Sequence, residues 1–292
     1  MGNKDKPMFR TILAAVIATL SLTRAASAAE SLPLAELDKQ THYHGLAVDP
    51  TDPTRLYLAT HHGFYLVAAD GVATRLSPVQ DFMGFTPHPT DPSILYASGH
   101  PSGGGNLGFL ISADGGANWT QLSAGLDGPV DFHQMDVSPA DPRVIYGVHG
   151  GIQVSRDGGR DWSIAGPAPD GLITLAASAA AADRLYAATR SGILVSEDGG
   201  AQWRVGAFPG EVVSMVTTGP DGVIYAYVVG RGLMEAREDS PAAWSSLSTD
   251  NRTLLHLAID ARGPARLFAV AHEAGILQSV DGGKSWRRFG ER

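Results

Sequence analysis

The chain has 292 residues, with 22 Lys and Arg against 30 Asp and Glu, a formal charge of −8, 43% hydrophobic residues, 35 Gly, 18 Pro and no Cys. So many turn-forming residues argue against a helical protein and for an all-β chain with a large core. The acidic balance disfavours nucleic acid as a partner, and the lack of cysteine excludes disulfides and thiolate ligands, leaving His, Met and carboxylate to hold any metal.

Residues 1–28 have the build of a signal peptide. Lys4, Lys6 and Arg10 precede an apolar run from Ile12 to Leu22, and Ala26-Ser27-Ala28 supplies a small-residue cleavage site. Its removal takes the formal charge to about −11. No Cys lies near the cleavage site to carry a lipid, and no later stretch is long enough to span a bilayer, so the expectation is a periplasmic or secreted protein with no membrane span. Residues 29–41 follow as an N-terminal segment that can add a strand closing the fold; closure without a shared last unit is the alternative.

From residue 42 to 292 the chain reads as six repeats, each marked by a strand ending in an aromatic: Arg55-Leu-Tyr57, Ile94-Leu-Tyr96, Val144-Ile-Tyr146, Arg184-Leu-Tyr186, Val223-Ile-Tyr225 and Arg266-Leu-Phe268. Within a repeat, an apolar strand A such as Gly45 to Val48 runs into a polar turn such as Asp49-Pro-Thr-Asp-Pro53. Strand B follows, then a Gly-led strand C such as Gly192 to Ser196, a hairpin and strand D. Repeats of this length predict a six-bladed β-propeller with four-stranded antiparallel blades.

The C–D hairpin carries an octet that recurs four times: Ser112 to Trp119, Ser155 to Trp162, Ser196 to Trp203 and Ser279 to Trp286, each reading S-x-D-G-G-x-x-W. Asp before Gly-Gly suits a tight turn, with a short carboxylate accepting local N–H groups and glycines free to take positive φ. The Trp supplies a buried plate that pins the turn to its own blade. The first and fifth repeats have degenerate versions, at Asp70-Gly71 and at Glu238 to Trp244. On these octets the chain resembles the BNR or Asp-box repeat family, found in sialidases, in the sortilin propeller and in a photosystem II assembly propeller; the resemblance implies Asp-box hairpins throughout the ring.

Strands alternate in direction, so the A–B turns and octets lie on one face and the B–C and D–A connections on the other. In six-bladed relatives the inner ends of that second face form the channel mouth where ligands sit. Two ring positions there are rich in histidine. At the end of strand B stand His61, His100, His149, Arg190, Arg231 and His272. At the start of strand A stand His44, Met83, His133, Ile173, Ser214 and either Leu255 or His256, with His42 two residues before His44. Only His88 maps to the opposite face.

Neutral imidazoles crowded at one mouth bind metal readily. The candidate metal ligands are His42, His44, His61, His100, His133, His149 and His272. Asp81 and Asp131 are candidate ligands or carboxylates that orient the imidazoles, and Arg190 and Arg231 are candidate ligand-binding cations. This donor set favours copper or zinc over magnesium or calcium, with Met83 and Met135 as soft neighbours and no organic cofactor. The reading is thus an exported monomer whose partner is a metal ion or small-molecule ligand.

The family resemblance implies two alternatives, a sialidase-like glycoside hydrolase and a protein-interaction or assembly platform. Sialidases of this kind use an arginine trio, an Asp acid/base and a Tyr nucleophile. Here the Arg-Ile-Pro motif that brings the first arginine is missing, and no context around Arg190, Arg231 or Arg252 matches the catalytic positions. One sizeable insertion, His100 to Gly108, suggests a glycine-rich flap at the mouth.

Overall fold

The computed structural model describes residues 2, 30–263, 265–273 and 275–291; apart from Gly2 the predicted signal peptide lies outside them. Six antiparallel sheets form the ring, in chain order. Blade one is Tyr43–Val48, Leu56–Thr60, Gly63–Val67 and Val72–Arg75; blade two is Asp81–Pro87, Leu95–His100, Phe109–Ser112 and Thr120–Ser123. Blade three is Met135–Val137, Ile145–Val148, Ile152–Ser155 and Ser163–Gly166; blade four is Leu172–Ala177, Leu185–Thr189, Gly192–Ser196 and Arg204–Ala207. Blade five is Val213–Thr218, Val223–Val228, Gly232–Arg237 and Ser240–Ser248; blade six is Leu254–Ile259, Leu267–Ala271, Gly275–Ser279 and Arg287–Arg288.

Side-chain patterning explains the layering. The second strands of blades one, four and six, Leu-Tyr-Leu-Ala-Thr, Leu-Tyr-Ala-Ala-Thr and Leu-Phe-Ala-Val-Ala, are buried at every position because blades stack on both of their faces. The outermost strands read polar and exposed, as in Thr120–Ser123, because they form the rim. Each hydrophobic cluster straddles a seam: Tyr57, Ala59 and Phe64 of blade one pack with Phe82, Phe85 and Leu110 of blade two.

The four octets fold alike. Ser155 Oγ donates to Asp157 Oδ1 at 2.8 Å and accepts from Gly159 N at 2.8 Å, while Asp161 N donates to Asp157 Oδ1 at 3.1 Å; the same bonds recur around Ser112, Ser196 and Ser279. The tryptophans were expected to pin the turn to its own blade, but they also reach the blade before it. Trp162 donates Nε1–H to Gly159 O within its turn, while its ring lies 5.2 Å from Phe109 of blade two. The octet is therefore a staple between blades. In blade five, which lacks it, the buried carboxylate of Glu238 takes over, accepting from Ser178 Oγ, Ala179 N and the Tyr186 hydroxyl of blade four.

All four strands of blade six come from the C-terminal end of the chain, so no strand is shared across the closing seam. Ser31–Pro33 instead pairs with Val72–Arg75 as a fifth, outer strand of blade one. Leu34 and Leu37 of the one-turn helix Leu34–Leu37 then pack with Tyr43 and Leu58 of blade one and Phe268, Ile276 and Phe289 of blade six. The N-terminal segment covers the closing seam rather than supplying a strand to blade six.

Candidate functional site

The heads of the first strands surround a central channel of about 560 Å³, and five of the six carry a register shift there. In blade one Tyr43 pairs with Thr60 and Gly45 with Ala59, leaving His44 as the extra residue; Ile173, Ser214 and Leu255 are its counterparts. In blade two Met83 and Gly84 together oppose one residue. Such bulges bend a strand and re-aim a side chain. Leu255 thus takes the bulge in blade six, and His256 pairs with Val270 in the channel wall.

Two of the histidine positions gather into groups of one design. In the first, His61 Nδ1 lies 2.6 Å from Asp81 Oδ2, and His44 Nε2 lies 3.0 Å from His61 Nε2 and 3.9 Å from Asp81 Oδ1. In the second, His100 Nε2 and His133 Nε2 lie 2.9 and 2.6 Å from the same Oδ2 of Asp131. Within each group one donor atom from each residue lies within 4.8 Å of the others. The recurring element is a bond across a seam. The histidine at the end of strand B of one blade meets an aspartate on the way into strand A of the next: His61 meets Asp81, the first residue of its strand, and His100 meets Asp131, four residues before its strand begins. Blade phase reveals this pairing; sequence spacing, about 20 and 30 residues, hides it.

The second group has a specific electrostatic conflict. His100 Nδ1 faces the carbonyl of Gly105 at 3.2 Å, which it can contact only as an N–H donor. In a neutral ring that leaves the Nε2 lone pair against the Asp131 carboxylate, an arrangement that requires a proton or a cation between them. Asp131 is buried, its side chain 5% exposed, and among the described residues its Oδ1 has no hydrogen-bond partner; the Oδ1 atom of Asp81 is likewise buried and unpartnered among them. Unpaired buried carboxylate oxygens are costly.

The remaining candidates divide. His149 Nδ1 bonds the carbonyl of Asp131 at 3.1 Å, beside the second group. The His42 ring stands 5.9 Å from that of His61. His272 is exposed, and its backbone N–H donates to Thr253 O. Arg190 is exposed, whereas Arg231 is held by Glu211 at 2.6 Å over the Phe208 ring. Arg252 is closed on Asp250, so two of the three arginines that a sialidase-like trio would draw on are already paired. On the opposite face His88 Nδ1 accepts from Thr90 N and Asp91 N, taking the capping role that Asp49 fills in blade one.

Two further titratable groups stand in the channel wall: Asp136, which the sequence reading did not single out, and His256, which it left as the alternative to Leu255. Asp136 of blade three accepts from Thr86 Oγ1 of blade two at 3.2 Å, from Val137 N at 2.9 Å and from Ala177 N of blade four at 2.9 Å, tying three blades together. Burial pushes its carboxyl up to about 6. Burial also pushes His256 down to about 4, and His44 down to about 4 with help from the neighbouring His61. Their signal was adjacency to the ring position, Asp136 three residues beyond His133 and His256 one beyond the bulge.

Opposite pH trends follow. His256, with its folded pKa depressed, stabilises the neutral-pH fold and loses that contribution as pH falls from about 6.5 toward 4. Asp136, with its folded pKa raised, favours the fold at low pH and loses that contribution as pH rises from about 4 through 6. Thermal melting across pH 4–7 is therefore expected to show Asp136→Asn losing stability on acidification more steeply than the parent, and His256→Asn less steeply.

No protein-family model matches the chain, and no curated protein matches its sequence. Solved structures do share the fold. A GH74 xyloglucanase from Xanthomonas campestris superposes with a TM-score of 0.57 at 21% identity over 85% of this chain and 45% of its own. YCF48 bound to D1 peptide superposes at 0.55 with 17% identity, over 90% of this chain and 84% of its own. The extracellular domain of BT4673 from B. thetaiotaomicron gives 0.54 at 12% identity, over 85% and 33%. The chain spans less than half the length of the xyloglucanase. At these identities the likeness is one of propeller fold. Among the described residues no helix is long and apolar enough to cross a membrane.

Proposed function

We propose that this chain is an exported propeller that binds a divalent transition metal, copper or zinc, at its channel mouth. The ligands are His44, His61 and Asp81 in one group and His100, His133 and Asp131 in the other. What carries the reading is the second group: two imidazole nitrogens converge on one oxygen of a buried carboxylate whose other oxygen has no partner. Zinc holds imidazole nitrogen and carboxylate oxygen at about 2.0–2.2 Å, so tetrahedral ligand atoms stand a little over 3 Å apart. The observed 2.6 and 2.9 Å separations need only a slight spreading of the side chains to admit an ion.

A neutral imidazole and carboxylate set suits copper and zinc, and three protein ligands leave a further position open. The Gly105 carbonyl on His100 Nδ1 is the kind of outer partner that fixes ring orientation in such sites. The test is elemental analysis and titration of untagged protein: two zinc or copper ions per chain are expected, removable by chelator, and the absence of any bound or titratable metal refutes the reading.

The peptide-bound propeller, matched over most of both chains, favours a second reading as an interaction platform. Capture of an extended peptide by metal-free protein, undiminished in Asp131→Ala, would support it.

A further inference from the structure

We infer that the two histidine-aspartate groups, loaded with divalent ions, act as one two-cation centre that captures a single phosphate-type oxyanion at the channel mouth. The inference rests on the metal reading above and adds the class of ligand.

Adjacency comes first. Asp81 of the first group and His100 of the second are directly opposite residues at the head of blade two. Cross-strand partners of this kind have Cα atoms about 4.5–5.5 Å apart. From that shared base Asp81 turns to His61 of blade one, while His100 turns to Asp131 of blade three. His44 and His133, one from each group, line the same channel.

Charge supplies the second step. Each group contributes one carboxylate and two imidazoles that are neutral when they bind metal. Two divalent ions therefore leave a surplus of two positive charges in a partly buried mouth, where such a surplus is poorly screened. Of the carboxylates in nearby connections, Glu211 is paired with Arg231 and Asp250 with Arg252, and in the channel wall Asp136 is turned onto Thr86 Oγ1 and the backbone N–H groups of Val137 and Ala177. An external anion placed between the two ions completes the neutralisation at the mouth.

Space and valence select its kind. Three ligands per ion leave each with an open position, and His133 is 60% exposed. The flap above His100 is uncrowded, with no atom within 4 Å of where a Cβ would stand at Gly103, Gly104 or Gly105. A phosphate group carries about −1.5 to −2 charges at pH 7 on several acceptor oxygens. One such anion cancels the surplus and offers separate oxygens to the two ions, whereas a monovalent carboxylate leaves half of it standing.

The experiment uses the mature chain, loaded with zinc to a measured stoichiometry in phosphate-free buffer and titrated with inorganic phosphate by calorimetry. One phosphate per chain is expected for the two-zinc form and none for the metal-free protein. Acetate should bind more than about tenfold more weakly. Asp81→Asn, or His61→Ala if the first variant does not fold, should hold one zinc and lose phosphate affinity by more than about tenfold. Two bound zinc ions with no phosphate uptake, equal binding of acetate, or undiminished phosphate affinity in the one-zinc variants would each overturn the inference while leaving the metal reading intact. Failure to take up zinc, registered before any phosphate is added, refutes the metal reading itself.

Discussion

Asp131→Ala is expected to reduce the metal stoichiometry from two ions to one and to weaken binding at the His100–His133 group by more than about a hundredfold, beyond what loss of an outer-sphere partner costs. Asp131 supplies the oxygen on which both imidazoles converge, and its other oxygen is buried without a partner. Without it, two histidines on adjacent blades remain, one of them largely exposed. The metal-free variant should be about as stable as the parent, because the deleted carboxylate is itself an incompletely satisfied buried charge. Competition with a chromogenic chelator measures the affinity. His272→Ala and Arg190→Ala, which alter exposed residues outside both groups, should leave stoichiometry and affinity unchanged. Unchanged zinc affinity in Asp131→Ala would remove the second group from the metal reading.

Gly159→Ala is expected to cost about 3–5 kcal/mol, from overpacking and left-handed backbone strain together. Gly159 has φ of +89°, and a Cβ there would lie 2.7 Å from Phe109 Cδ1 and 2.9 Å from its Cζ. Phe109 is fully buried in the neighbouring blade and has no room to retreat. Gly282→Ala, at the first glycine of the fourth octet, provides the uncrowded comparison: φ is +74° but no atom lies within 4 Å of the added Cβ, so only the backbone strain of about 1–2 kcal/mol remains. Urea unfolding midpoints of the two variants separate the terms. Equal losses would mean that the octet glycine serves turn geometry alone and not the contact between blades.

The octet's role was half legible. Ser, Asp and Gly-Gly announce a turn because their bonds span at most four residues, and those local bonds are present as expected. That the second glycine must stay bare because Phe109 presses on it joins residues 50 positions apart, and no local pattern encodes that distance. The closing seam shows the same limit. Residues 29–41 read as a segment that could complete the ring, yet strand Ser31–Pro33 joins the outer edge of blade one while Leu34 and Leu37 fill the seam.

Among the site residues, the ring positions could be counted out from blade phase, so His44, His61, His100 and His133 were recognisable as neighbours in the mouth, with Asp81 and Asp131 close by. Their partners were not recognisable. His42, His149 and His272 occupy equivalent or adjacent positions, but lie outside the two groups. What separates His149 from His61 and His100 is the residue at the entry to the next blade, an aspartate after His61 and His100 but a glycine, Gly171, after His149.

The sequence by itself determined the architecture: six repeats of hydrophobic alternation, each closed by turn chemistry acting over a few residues, admit few arrangements other than a ring of antiparallel blades. It also determined which end of each strand carries imidazole. Only the tertiary structure decided which imidazole meets which carboxylate. That choice is made across blade seams and at strand-head bulges, where a one-residue shift in register re-aims a side chain.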